Sequence, residues 1–117
     1  MSYSIELVDA ITKEVIKLDA PHHMKGGTYK AGGTLDAELN VTYNYAKFYT
    51  HFGVKGIREL YGKTGAESIK ILKDVIDKLG NDVSDDYWKA TEGNAKIALT
   101  QLLALAQMRP DGIWVGD

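Results

Sequence analysis

Alternating apolar and polar side chains open the chain. Tyr3, Ile5 and Leu7 alternate with Ser4 and Glu6, the period of two that marks a strand with one buried face. Val15, Ile16 and Leu18 form a second apolar group after the polar connection Asp9–Lys13, which has hairpin length. Strands are expected near 3–8 and 14–18, antiparallel to each other. The stretch "APHHMKGGTYKAGGT", Ala20 to Thr34, holds Pro21 and four glycines, which end regular structure. Its glycine pairs around Tyr29 either make a plain loop or let backbone amides approach a ligand.

The period changes within "LNVTYNYAKFY", Leu39 to Tyr49. Alternation through 35–41 predicts an extended segment. Tyr45, Phe48, Tyr49 and Phe52 then fall at helical spacing, with Gly53 suited to a helix end. A helix is expected over 43–52, capped by Thr42 or Asn44. Gly56 to Gly62 reads as one helical turn between glycines. Thr64 and Glu67 have capping-box spacing. Behind them Ile69, Leu72, Val75, Ile76 and Leu79 form an apolar stripe that stops at Gly80. Asn81 to Asp86 is an acidic turn, expected to be pinned by Tyr87 and Trp88. Thr91 is the next cap, and Ala95, Ala98, Leu99, Leu102, Leu103, Leu105 and Ala106 make that helix apolar around most of its circumference. It is therefore expected to be the central buried helix. Arg109-Pro110-Asp111-Gly112 stops it, and Ile113, Trp114 and Val115 suit a short edge strand. The expected fold is α+β, a single domain over 1–117, with an N-terminal antiparallel β-hairpin or small sheet packed on three to four helices.

Composition narrows the partners. The chain has 117 residues, 44% hydrophobic and 26% charged, ordinary for one globular domain. Its net charge of −2 argues against nucleic acid and acidic membranes, which attract a basic excess. The longest apolar run, Leu102 to Ala106, is far too short to span a bilayer. Cysteine is absent, so disulfides, thiolate catalysis and cysteine zinc sites are excluded. The first residues lack the charged-then-apolar pattern of a secretion signal. The expected location is the cytoplasm, and Asn40-Val41-Thr42 is not read as a glycosylation site.

No catalytic motif emerges. His22 and His23 are adjacent and would diverge on a strand, and no carboxylates are spaced around His51 as metal ligands. No metal or cofactor is expected, and the chain is not read as an enzyme. The polar-aromatic cluster carries the one chemical signal. Asn40, Thr42 and Asn44 offer donors and acceptors suited to a ribose or a base edge. Tyr43, Tyr45 and Tyr61 offer flat faces with polar tips for stacking. Arg58 or Arg109 could meet a phosphate through a planar fork. At Asn94, beside Gly93, the opening amides of a helix could hold an anion, although Glu92 opposes it. The alternative stays open: the asparagines cap and satisfy backbone, the tyrosines fill the core, and the arginines serve a helix end or a surface ion pair.

Taken together, "GGTY", "LNVTYNYAKFY", "GIRELYGKTGAESI", "TEGNAKIALTQLLALA" and "RPDGIW" resemble a group of small proteins of tailed phages and prophages. In that group an Asn-x-Thr-x-Asn motif precedes a helix and a "GNA…AL…LL" helix closes the domain. The resemblance covers roughly residues 26–116. Small phage proteins of this profile include non-catalytic sponges, such as anti-Thoeris and anti-CBASS proteins, which sequester nucleotide-derived immune signals. The resemblance therefore implies a protein that binds a cyclic nucleotide or a cyclic ADP-ribose isomer in the host cytoplasm. A homo-oligomer is expected because a site between subunits encloses a ligand better than one small domain can. The competing expectation is a phage accessory protein that inhibits a host protein by direct contact.

Overall fold

A computed structural model describes residues 2–24, 33–86 and 89–117. The chain is α+β. Strand β1, Ser2–Val8, lies at the centre of a three-stranded sheet. Strand β4, Glu38–Thr42, and strand β5, Ile113–Gly116, both pair with it antiparallel. Tyr3, Ile5 and Leu7 of β1, Leu39 and Val41 of β4, and Trp114 of β5 are buried in the core. Ser4, Glu6, Glu38 and Asn40 alternate with them and so occupy the other face.

The first turn is built by Asp9, whose Oδ1 accepts from the amides of Ile11 and Thr12 at 2.8 and 2.9 Å. The connection closes on one antiparallel bridge, Val8 to Val15. Beyond that bridge the chain leaves β1. Strand β2, Lys17–His22, pairs with β3, Thr34–Asp36, in a separate two-stranded sheet. It continues through Pro21, which a two-stranded ribbon tolerates because each strand has an outer edge needing no donor. The glycine-paired stretch around Tyr29, and the pinning residues Tyr87 and Trp88, lie outside the described residues.

Thr42 is where the period changes. It ends β4, and its hydroxyl accepts from the Asn44 amide at 3.2 Å. The expected helix over 43–52 forms as a 3₁₀ helix, Tyr43–Phe52. It stops at Gly53, whose φ of 136° favours a residue without a side chain. The short Gly56–Leu60 helix that follows is also 3₁₀.

Helix α1, Gly65–Lys78, starts with the complete capping box. The Thr64 hydroxyl accepts from the Glu67 amide at 3.1 Å, and Glu67 accepts from the Thr64 amide at 2.9 Å. Helix α2, Glu92–Met108, is capped by Thr91 and buries Ala95, Ala98, Leu99, Leu102, Leu105 and Ala106. The Tyr49 hydroxyl ties the longer 3₁₀ helix to α2 by donating to the Ala95 carbonyl at 3.0 Å. Burial raises the Tyr49 pKa well above the usual phenol value, so it stays a donor. No helix among the described residues is long and apolar enough to cross a membrane.

Strand β5 is the short edge strand expected after α2. Its Glu6-facing edge pairs with β1, while its other edge meets the segment before α1. Gly62 donates to the Trp114 carbonyl and the Trp114 amide donates to the Lys63 carbonyl, both at 2.9 Å. Trp114 is fully buried.

Candidate functional site

Strand β1 places Tyr3 at the end of the core face, and the sheet-to-helix switch at Thr42 places Tyr43 beside it. The two rings meet edge to face, with centroids 4.5 Å apart. The Gly56–Leu60 helix supplies Arg58. Its guanidinium carbon lies 4.9 Å from the centre of the Tyr3 ring and 5.8 Å from that of Tyr43, within cation–π range. Arg58 Nη2 donates to the Tyr43 hydroxyl at 3.3 Å, and Nε donates to the Asp117 main-chain oxygen at 2.9 Å. Tyr61 donates to the same oxygen at 3.4 Å. Burial, followed by the nearby Asp117 charge, pushes the Tyr61 pKa up to about 12. Burial likewise raises the pKa of Tyr3. Both phenols therefore remain neutral at physiological pH.

Arg58 is exposed. Among the described residues no side-chain carboxylate forms an ion pair with it; the two ion pairs join Lys17 to Asp36 and Arg109 to Asp111. The result is a cation within cation–π distance of two tyrosine rings and without a side-chain carboxylate partner among the described residues. Chemically, this surface can stack a planar group and bind an oxyanion.

Of the nine residues singled out from the sequence, Tyr43, Arg58 and Tyr61 gather at this surface. The other six do not. Asn40 is on the opposite face of the sheet from Tyr3, and its Nδ2 donates to Ser4 Oγ at 3.2 Å. Thr42 is buried and acts as the helix cap. Tyr45 is 1% exposed, packed edge to face with Tyr49. Asn44 is exposed at the helix start and gives its amide to Thr42.

Asn94 is only 3% exposed. Its Oδ1 accepts from the Ser84 amide and its Nδ2 donates to the carbonyls of Asp86 and Lys89, all at 3.1 Å. These bonds fold the acidic 81–86 segment over the start of α2. The amide at Gly93 does meet an anion, but the anion is the protein's own: Asp82 Oδ1 accepts from it at 3.1 Å. The room that Gly93 leaves is filled by the Asp82–Val83 backbone.

Arg109 follows α2 and pairs bidentately with Asp111, at 3.0 and 2.8 Å. That bonding raises the Arg109 pKa and lowers that of Asp111. Arg109 and Lys17 border two clefts of about 220 and 500 Å³. Asp9 and Glu14 border the first and Asp19 the second. These acids and the two existing ion pairs make both clefts poor places for a phosphate.

Two members of the surface escaped the sequence reading. Tyr3 carries a signal in retrospect, as an aromatic at the end of an alternating strand. Asp117 carries none, since its role depends on β5 pairing with β1. Among the described residues no three His, Asp or Glu side chains group as a metal site. No protein-family model, curated protein or solved structure matches the chain.

Proposed function

We propose that this protein is a non-catalytic binder that sequesters a small nucleotide-derived molecule at the Tyr3–Tyr43–Arg58–Tyr61 surface. The observation that carries the reading is Arg58: exposed, within cation–π distance of two tyrosine rings and without an acidic side-chain partner among the described residues. A guanidinium so held recognises a phosphate oxygen pair, and the half-buried Tyr43 and Tyr61 rings suit a base or ribose. In this reading the protein is phage- or prophage-encoded and acts in the host cytoplasm against a cyclic nucleotide or cyclic ADP-ribose type signal. The surface is open, so a second copy of the chain completes the enclosure of the ligand. The helices and the β4-β1-β5 sheet act as a scaffold and supply no reacting group.

A thermal-shift screen against cyclic dinucleotides, cyclic trinucleotides and cyclic ADP-ribose isomers tests this. A ligand at a hundred times its dissociation constant adds ~2.7 kcal/mol of stability. A shift with the compound recovered unchanged supports sequestration; a shift with the compound converted points to an enzyme.

Inhibition of a host protein by surface contact is the second reading. Tyrosine and arginine are also the residues of interface hot spots, and Val54, beyond the end of the Tyr43–Phe52 helix, is fully exposed. That reading expects no shift across the screen and a stable complex with a host protein.

A further inference from the structure

We propose that Asp117 is the positioning residue of the Arg58 surface, holding the guanidinium so that one edge remains available to an oxyanion. The proposal rests on the reading of Arg58 as a ligand contact. The last β1–β5 pair is Ile5 with Gly116. One residue further on, Asp117 continues the contact with its side chain: Oδ1 accepts from the Ser4 amide at 2.9 Å. That bond fixes the main-chain oxygen of Asp117, which in turn accepts from Arg58 Nε at 2.9 Å and from the Tyr61 hydroxyl at 3.4 Å. Gly116 lets the strand end pass beneath Tyr61. A Cβ there would press on the phenol and lie 2.6 Å from the Ser4 carbonyl oxygen.

Arginine has five N–H donors in a rigid plane. Asp117 takes the one on Nε, and the Tyr43 hydroxyl takes one from Nη2. The two bonds and the flanking rings set the orientation of the plane. The donor set that remains for a ligand is Nη1 and one hydrogen of Nη2. It fits two oxygens of one phosphate or carboxylate group. Asp117 thus acts through Arg58 and makes no ligand contact itself.

Two variants separate positioning from charge. Asp117→Ala removes the bond to Ser4; Asp117→Asn keeps an Oδ1 acceptor but removes the charge. The first readout is solvent exchange of the Arg58 Nε–H, followed by NMR without ligand. The second is the affinity for adenosine 5′-monophosphate. Asp117→Ala is expected to speed exchange and weaken affinity, each about fivefold, the size of one modest hydrogen bond. Asp117→Asn is expected to keep slow exchange and to bind at least as tightly as the wild type. Unchanged exchange in Asp117→Ala overturns the proposal, as does an equal acceleration in both variants. If exchange follows the expected pattern but the wild type does not bind the nucleotide, Asp117 positions Arg58 and the ligand reading fails instead.

Discussion

The indole nitrogen of Trp114 donates to Ser68 Oγ at 2.8 Å, and both side chains are fully buried. The same hydroxyl donates to the Gly65 carbonyl at 2.8 Å. One serine thus satisfies a buried indole and locks β5 against the first turn of α1. Ser68→Ala strands the indole N–H and should cost ~1–3 kcal/mol in urea unfolding. Adding Trp114→Phe should cost less in the Ser68→Ala background than in the wild type, because no orphan donor then remains.

Gly93 lies in the first turn of α2, where alanine would ordinarily gain up to ~1 kcal/mol in helix propensity. Here the sign reverses. A Cβ at 93 would sit 2.7 Å from both the Asp82 carbonyl carbon and the Val83 nitrogen, which are backbone atoms that yield poorly. Gly93→Ala should destabilise by ~1–3 kcal/mol as an overpacked site. A thermal melt equal to or above the wild type's would contradict the packing of the 81–86 segment on α2.

Glu6 sits directly opposite Glu38 across the β1–β4 ladder. Partial burial raises its pKa, with Glu38 and then Asp36 adding to the effect. The folded protein therefore holds this proton more tightly than the unfolded chain, and stability falls as pH rises from the unfolded pKa through the folded one. Glu6→Gln should raise the melting temperature at pH 7. The gain should vanish below about pH 4, where the carboxyl is protonated in both states. An equal gain at both pH values would assign the effect to something other than ionisation.

The capping box gives the opposite pH sign. Hydrogen bonds from Thr64 lower the Glu67 pKa, so its contribution is present above the unfolded carboxyl pKa and is lost as pH falls through the folded value. Thr64→Ala should cost about 1 kcal/mol at neutral pH. Glu67→Gln should lose its difference from the wild type as acid protonates the glutamate, which paired melts at pH 7 and in acid would reveal.

The local features of the fold were legible because they depend on neighbours in sequence. The Thr64–Glu67 box, the Thr91 cap and the change of period at Thr42 all follow from residues within one turn. Choosing the partners of β1 was harder. Short separation favours Val15–Leu18, yet the structure spends its ladder on β4 and on β5, more than a hundred residues away at Ser4 and Asp117. Nothing local announces such a pairing, so Asp117 was invisible. The Asn94 and Gly93 signals were physically sound, since both do mark a helix start with donors to satisfy. Their partners prove to be Ser84, Asp82 and neighbouring backbone. The end of alternation at Thr42 also explains why "NVTYNY" divides: Asn40 takes one sheet face, while Thr42 and Tyr45 are consumed by the cap and the core.

The most direct measurement is a calorimetric titration of the strongest ligand from the nucleotide screen into the wild type and Arg58→Ala. Saturable binding to the wild type, recovery of the ligand unchanged, and a loss of about tenfold or more in Arg58→Ala are expected, as befits a charged hydrogen-bonding group. Equal affinity in the two proteins would show that Arg58 is not the recognition element, and the Tyr3–Tyr43–Arg58–Tyr61 surface would then be no more than a latch for the end of β5.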